Sequence, residues 1–171
     1  GEQNIQRAVD RAVKGRDSIG GVIECQAIRV PASLGEPFFD SVESLISHLV
    51  FSIPGIKGIE FGAGFASARM KGSEHNDLII SQDGGTATNR AGGINGGLTN
   101  GNPLVFRLAV KPPASIPQPQ LTFNLKTGQR EYLEIKGRHD VCIALRIPVI
   151  VEAAVAIVLA DLLLLRKSQL V

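Results

Sequence analysis

Thr88-Asn89-Arg90-Ala91-Gly92-Gly93-Ile94-Asn95-Gly96-Gly97, then Asn100-Gly101-Asn102, then Leu104-Val105-Phe106-Arg107-Leu108-Ala109-Val110, is the stretch whose reading decides the fold. Its last seven residues form a clear strand. The Asn-Gly-Asn step before them has the chemistry of a hairpin turn. Seven glycines fall in the eighteen positions from Gly84 to Gly101. Such a stretch adopts backbone conformations closed to other residues, or lets something approach closely. Paired glycines also expose successive backbone N–H groups that can line an anion or a planar ring. A tight loop beside a hairpin and a ligand-lining loop therefore both stand. The spacing matches neither GxGxxG nor a Walker A loop.

Outward from this stretch, the chain alternates element types. Residues 4–14 carry Ile5, Ala8, Val9, Ala12 and Val13 at helical spacing, and Gly15 is a suitable stop. Residues 19–30 read as a strand ending before Pro31. Residues 38–51 give a second amphipathic helix with Val42, Leu45, Ile46 and Leu49 on one stripe. Residues 56–61 form a short strand bounded by glycines, and 65–70 a brief helical turn. The segment 111–120 holds four of the nine prolines and is stiff, extended and non-helical. Residues 130–135 read as a strand. Residues 148–166 form the last helix, with proline at its start and Arg166 and Lys167 at its end. The expected fold is α/β: a layered β-α-β sandwich of mainly antiparallel sheets with packed helices. No linker divides residues 1–171, so a single domain is expected.

Composition narrows the function. The 171 residues include 44% hydrophobic and 20% charged side chains, ordinary for a globular chain with a core of Val, Ile, Leu and Ala. The net charge of +2 comes without a Lys/Arg block or an aromatic-basic stripe, so nucleic acid is not an expected partner. Cys25 and Cys142 belong to no CxxC pair and only three histidines exist, so no metal site is expected and two free thiols are the preferred reading. No signal peptide is legible in the first residues. Residues 147–165 are nearly all apolar, but Glu152 and Asp161 interrupt them, and each acid costs about 2.5–3.5 kcal/mol near a bilayer centre. A core helix is expected rather than a membrane span.

Two further clusters are chemically suggestive. Lys111-Pro112-Pro113-Ala114-Ser115 puts a cation and a hydroxyl on a rigid turn at the end of a strand. Lys136-Gly137-Arg138-His139-Asp140, if extended, projects Arg138 and Asp140 to one face and His139 to the other. An arginine beside an acid can bind an anion while placing a carboxylate for proton transfer, or can form a structural ion pair. His75 reads as part of a solvated loop, His48 as a structural helix residue, and Asp17-Ser18 as a turn cap or a ligand neighbour.

Taken in order, Asp17-Ser18-Ile19-Gly20-Gly21, Leu34-Gly35-Glu36-Pro37, residues 52–58, residues 69–77, Thr88–Gly93 and Gly137-Arg138-His139-Asp140 through Glu152 resemble the chorismate synthase family. The resemblance covers nearly the whole chain and matches the C-terminal half of that family. It implies a cytoplasmic enzyme that uses reduced FMN to eliminate phosphate, in an anti sense, from 5-enolpyruvylshikimate 3-phosphate. It also implies a homotetramer, with NADPH as the reductant in some members; no separate nicotinamide motif is visible. By motif, Pro54-Gly55, Gly96, Lys111-Pro112-Pro113-Ala114-Ser115 and Arg138 match positions that contact FMN. Arg138 also matches a residue near the substrate, and Asp140 a carboxylate that handles a proton near the flavin. The chain departs from the family pattern where Val141 follows Asp140 and where Leu145 precedes Arg146, both usually proline. The family's N-terminal half, with two histidines, substrate arginines and a Ser/Arg flavin segment, has no counterpart here. An incomplete active site is therefore expected for this chain alone, with a homo-oligomer or a companion N-terminal half as the expected partner. A non-catalytic flavin- or phosphate-binding module and a structural fragment are the alternatives.

Overall fold

The computed structural model describes residues 2–169. Helix α1 spans Glu2–Lys14, strand β1 Gly21–Ala27, helix α2 Val42–Val50 and strand β2 Ile56–Phe61. A short helix α3 (Gly72–His75) precedes the two-residue strands β3 (Ile94–Asn95) and β4 (Leu98–Thr99). Strands β5 (Leu104–Val110), β6 (Gln120–Asn124) and β7 (Gln129–Leu133) follow, and α4 (Pro148–Gln169) closes the chain. Three 3-10 turns, Phe38–Asp40, Gly64–Arg69 and Ile143–Leu145, join these elements.

The central sheet has the order β1-β5-β2, antiparallel throughout. β5 sits in the middle because its alternation is complete: Leu104, Phe106, Leu108 and Val110 are all buried. The Phe106 ring tilts against Phe61 at 5.7 Å between centroids. The opposite face carries a polar row in register, Glu24, Arg107 and Glu60, with Arg107 2.9 Å from Glu60. Helices α2 and α4 cover the apolar face and form one core with it. From α2 come Val42, Ile46 and Val50, one helical turn apart. Val151, Ala154, Val155, Val158 and Leu162 come from α4. This is the antiparallel α/β arrangement expected from the sequence.

Several boundaries differ from the expected ones, each for a local reason. The second helix begins at Val42 rather than at residue 38. Phe38 takes a φ of +67°, and extended Ser41 caps the helix, its Oγ accepting the Ser44 N–H at 3.1 Å. The strand read over 19–30 is paired only over Gly21–Ala27, where β5 offers partners. The Pro-rich segment ends at residue 119 and runs into β6, which pairs with β7 as a separate hairpin. β6 was not legible because Gln120–Asn124 alternates only weakly and borders the prolines. The last helix is not a core helix all round. It is long and apolar enough to cross a membrane by length and composition, and 28% of that apolar window is buried. Its inner face builds the core, while Glu152 and Asp161 stand exposed.

Candidate functional site

Within the glycine-rich stretch, Gly92 and Gly93 serve backbone packing. A Cβ on Gly92 would lie 2.5 Å from the Gly62 nitrogen, and one on Gly62 would lie 2.1 Å from the Arg90 carbonyl oxygen. The two segments touch main chain to main chain, with Ala63 N–H donating to the Arg90 carbonyl at 2.8 Å. Asp77 organises the same loop. Its carboxylate accepts the Arg90 and Ala91 N–H groups at 2.8 and 2.9 Å and the Thr88 hydroxyl at 2.6 Å. Partial burial pushes the Asp77 carboxyl up, but the Thr88, Ala91 and Arg90 hydrogen bonds, with His75 nearby, bring it below the usual carboxylate range. His75, read as a solvated loop residue, instead lies half-buried with its ring 3.0 Å from Ser67 Oγ.

Gly96 and Gly97 are the exception. They form the two-residue turn between β3 and β4, with φ of +57° and +86°. Gly97 is pinned by Val42, whose N–H donates to its carbonyl at 3.0 Å. Gly96 stays open, since a Cβ there would meet nothing within 4 Å.

The Lys111 and Arg138 clusters come together at the other end of α2. The Lys111 N–H donates to the Gly55 carbonyl at 2.9 Å, so Pro54-Gly55 and the Lys111 turn share one backbone junction. Ser18 donates its hydroxyl to the Pro113 carbonyl at 2.6 Å, and Ile19 N–H donates to the Val141 carbonyl at 2.8 Å. Ser115 Oγ lies 3.0 Å from His139 Nδ1. These links leave a cleft of about 210 Å³ lined by Asp17, Ser115, Ile116, Gly137, His139 and Asp140 among others. Of the residues expected to contact ligand only Ser115 and Asp140 line it; Pro54, Gly55, Gly96, Lys111–Ala114 and Arg138 do not. Since α2 separates them, Gly96 and Gly55 stand roughly 13 Å apart along that helix by its rise per residue.

Two placements revise the reading from sequence. The ion-pair partner of Asp140 is Arg146, at 2.9 Å, rather than Arg138. The 3-10 turn Ile143–Leu145 folds the chain back and delivers Arg146, a role that linear spacing did not signal. Arg138 is exposed and makes no hydrogen bond or ion pair among the described residues. His139, placed on the far face in an extended reading, is instead the side chain that meets Ser115. The usual proline positions of the family are occupied by Val141, whose carbonyl ties down Ile19, and by exposed Leu145.

Fold and cleft together define an α/β protein whose loops bring a hydroxyl, an imidazole and a carboxylate to one cleft. The chorismate synthase family profile matches residues 1–164. The chorismate synthase of Chitinophaga pinensis is 59% identical over 169 residues, covering 99% of this chain and 51% of its own length. That of Aeropyrum pernix is 48% identical over 170 residues, covering 98% of this chain and 45% of its own. A crystal structure of a chorismate synthase superposes with a TM-score of 0.76 at 31% identity, over 96% of this chain and 43% of that one. The chain belongs to the chorismate synthase family. It spans about half the length of the relatives it matches.

Proposed function

We propose that residues 1–171 act as a single unit supplying the cofactor-binding half of a chorismate synthase, a cytoplasmic lyase of aromatic amino acid biosynthesis. The observation that carries this reading is the joining of the Lys111–Ser115 turn to the Gly137–Asp140 loop through Ser115 and His139. The donor set fits a phosphorylated planar ligand such as FMN. Lys111 and Arg138 are exposed cations, Ser115 is an exposed hydroxyl, and Gly96 offers open backbone farther along. Reduced FMN held by these residues would supply a transient electron, returned to it as the product forms, that eases loss of phosphate from 5-enolpyruvylshikimate 3-phosphate. NADPH is among the reductants that keep the flavin reduced in the family.

The chain's own residues bind and orient. Pro112 and Pro113 fix the backbone on which Lys111 and Ser115 are displayed. Arg138 is free to meet an anion, either the cofactor's or the substrate's. Arg146 holds Asp140 in place, and Asp140 receives or relays the substrate's proton.

The partner in this reading is another copy of the chain, a homotetramer by family, or a companion N-terminal half. The outer face of α4 favours the same conclusion: Ile150, Ile157 and Leu164, seven residues apart, are all exposed. Alone, the chain then binds ligand without completing the chemistry. An FMN titration of this chain, followed by absorbance with and without the phosphorylated substrate, tests the reading. Micromolar flavin binding with a substrate-dependent spectral change supports it. Absence of binding at micromolar protein leaves a folded fragment whose pocket depends on the other half.

A further inference from the structure

His139 stands between the two loops of the cleft and makes one contact to each side. Its Nδ1 lies 3.0 Å from Ser115 Oγ, and its Nε2 lies 3.0 Å from the Ile135 carbonyl oxygen. A carbonyl only accepts, so Nε2 must carry a proton. In the neutral ring Nδ1 is then bare and accepts, and the Ser115 hydroxyl must donate to it. The ring is half-buried, whereas Ser115, Arg138 and Asp140 around it are exposed. It is therefore the most enclosed side chain of that cluster. No other side-chain hydrogen bond or ion pair joins the 111–115 turn to the 137–140 loop among the described residues.

We propose that His139 is a positioning residue. Its Nε2–H is braced on Ile135 and its Nδ1 locks the Lys111–Ser115 turn onto the Gly137–Asp140 loop; in the neutral ring this Nδ1 takes the Ser115 proton. Ser115 then meets a ligand through its oxygen lone pairs, so it serves hydroxyl or N–H groups of the ligand. The anionic part of the ligand is left to Lys111 and Arg138. The assignment of the ligand as FMN rests on the proposed function; the lock itself does not.

Asparagine and glutamine divide the two contacts. Asn at 139 places its oxygen near the Nδ1 position and keeps an acceptor for Ser115. Gln places its amide near the Nε2 position and keeps only the brace on Ile135. The first experiment records long-range 1H–15N spectra of the histidine rings in this chain, wild type and Ser115→Ala. A protonated Nε2 and a bare Nδ1 at His139, with the Nδ1 resonance shifting in Ser115→Ala, is the expected result. The Nδ1–H tautomer, or an Nδ1 resonance indifferent to Ser115, overturns the proposal.

The second experiment measures FMN affinity. Ser115→Ala and His139→Gln should each weaken it by about fivefold, the scale of one lost hydrogen bond. The double variant should be no weaker than Ser115→Ala alone, because that change already removes both the link and the hydroxyl's contact with the ligand. His139→Asn should stay within about twofold of wild type. Equal affinity in His139→Gln and wild type counts against the lock. Failure of the wild type to bind FMN counts against the functional reading alone, since the ring spectra report the lock without any ligand.

Discussion

Asp77 is the residue on which the glycine-rich loop hangs, and its chemistry fixes the sign of two predictions. One carboxylate satisfies two N–H groups and a hydroxyl, so its removal strands donors in a half-buried loop. Asp77→Ala should lower unfolding stability by about 2 kcal/mol, within the range for hydrogen bonds to a charged group. The denaturant midpoint measures it, and a change below a few tenths would show that water replaces those bonds without cost. Its folded carboxyl lies below the ordinary value of 3.8, so the folded state binds fewer protons than the unfolded one near that pH. The stabilisation is complete above 3.8 and drains away as pH falls through the lower folded value. Asp77→Ala should therefore flatten the acid limb of the stability curve. Asp140 makes the contrasting case, because its partner Arg146 orients a group proposed for proton transfer. In a complete enzyme that contains this chain, Asp140→Asn should leave flavin affinity within twofold and cut turnover by about a hundredfold or more. Undiminished turnover would remove this carboxylate from the chemistry.

At the level of elements, what the sequence disclosed follows from how each element is stabilised. β5 and α2 were legible because their own periodicities, every second residue and every third or fourth, are the pattern of their burial. The β6–β7 hairpin was only half legible. Its strands bury nothing, so no period marks them, and Leu121, Phe123 and Tyr132 share one exposed face. The cleft was legible as three separate clusters but not as an assembly. Neither the Arg146 turn nor the His139–Ser115 link has a local signature, since both arise from chain reversals. The hairpin depends on Arg16, which holds both of its stems: the guanidinium donates to the Pro117 carbonyl at 3.0 Å and pairs with Glu134 at 2.9 Å. A two-stranded hairpin is marginal on its own. Arg16→Ala should speed amide exchange across residues 120–133 by several-fold. It should move the global midpoint by no more than about 1 kcal/mol, because the ion pair is exposed. Unchanged exchange would mean that the hairpin is held by its own cross-strand pairs.

At the scale of the whole molecule, the two faces of α4 argue that this unit was built to be covered. The inner stripe closes the core against the sheet and α2. The outer one repeats an apolar residue every seventh position, with Ile157 61% and Leu164 65% exposed. Seven residues are close to two helical turns, so these side chains form one nearly straight seam. A seam of that kind in water carries an unfavourable exposure that packing against a second apolar layer removes. The relatives provide the room for such a layer, since this chain spans about half of their length. A charge placed on the seam should therefore behave differently in two settings. Ile157→Glu in this chain should leave the unfolding midpoint within about 0.5 kcal/mol, as a surface change does. It should also reduce self-association in sedimentation. Ile157→Glu in a full-length enzyme that contains this chain should cost at least about 2 kcal/mol, because an unpaired carboxylate would be buried there. If the full-length enzyme tolerates the charge as readily as this chain does, the seam faces water in both. Any layer that covers this unit would then have to lie elsewhere than on α4.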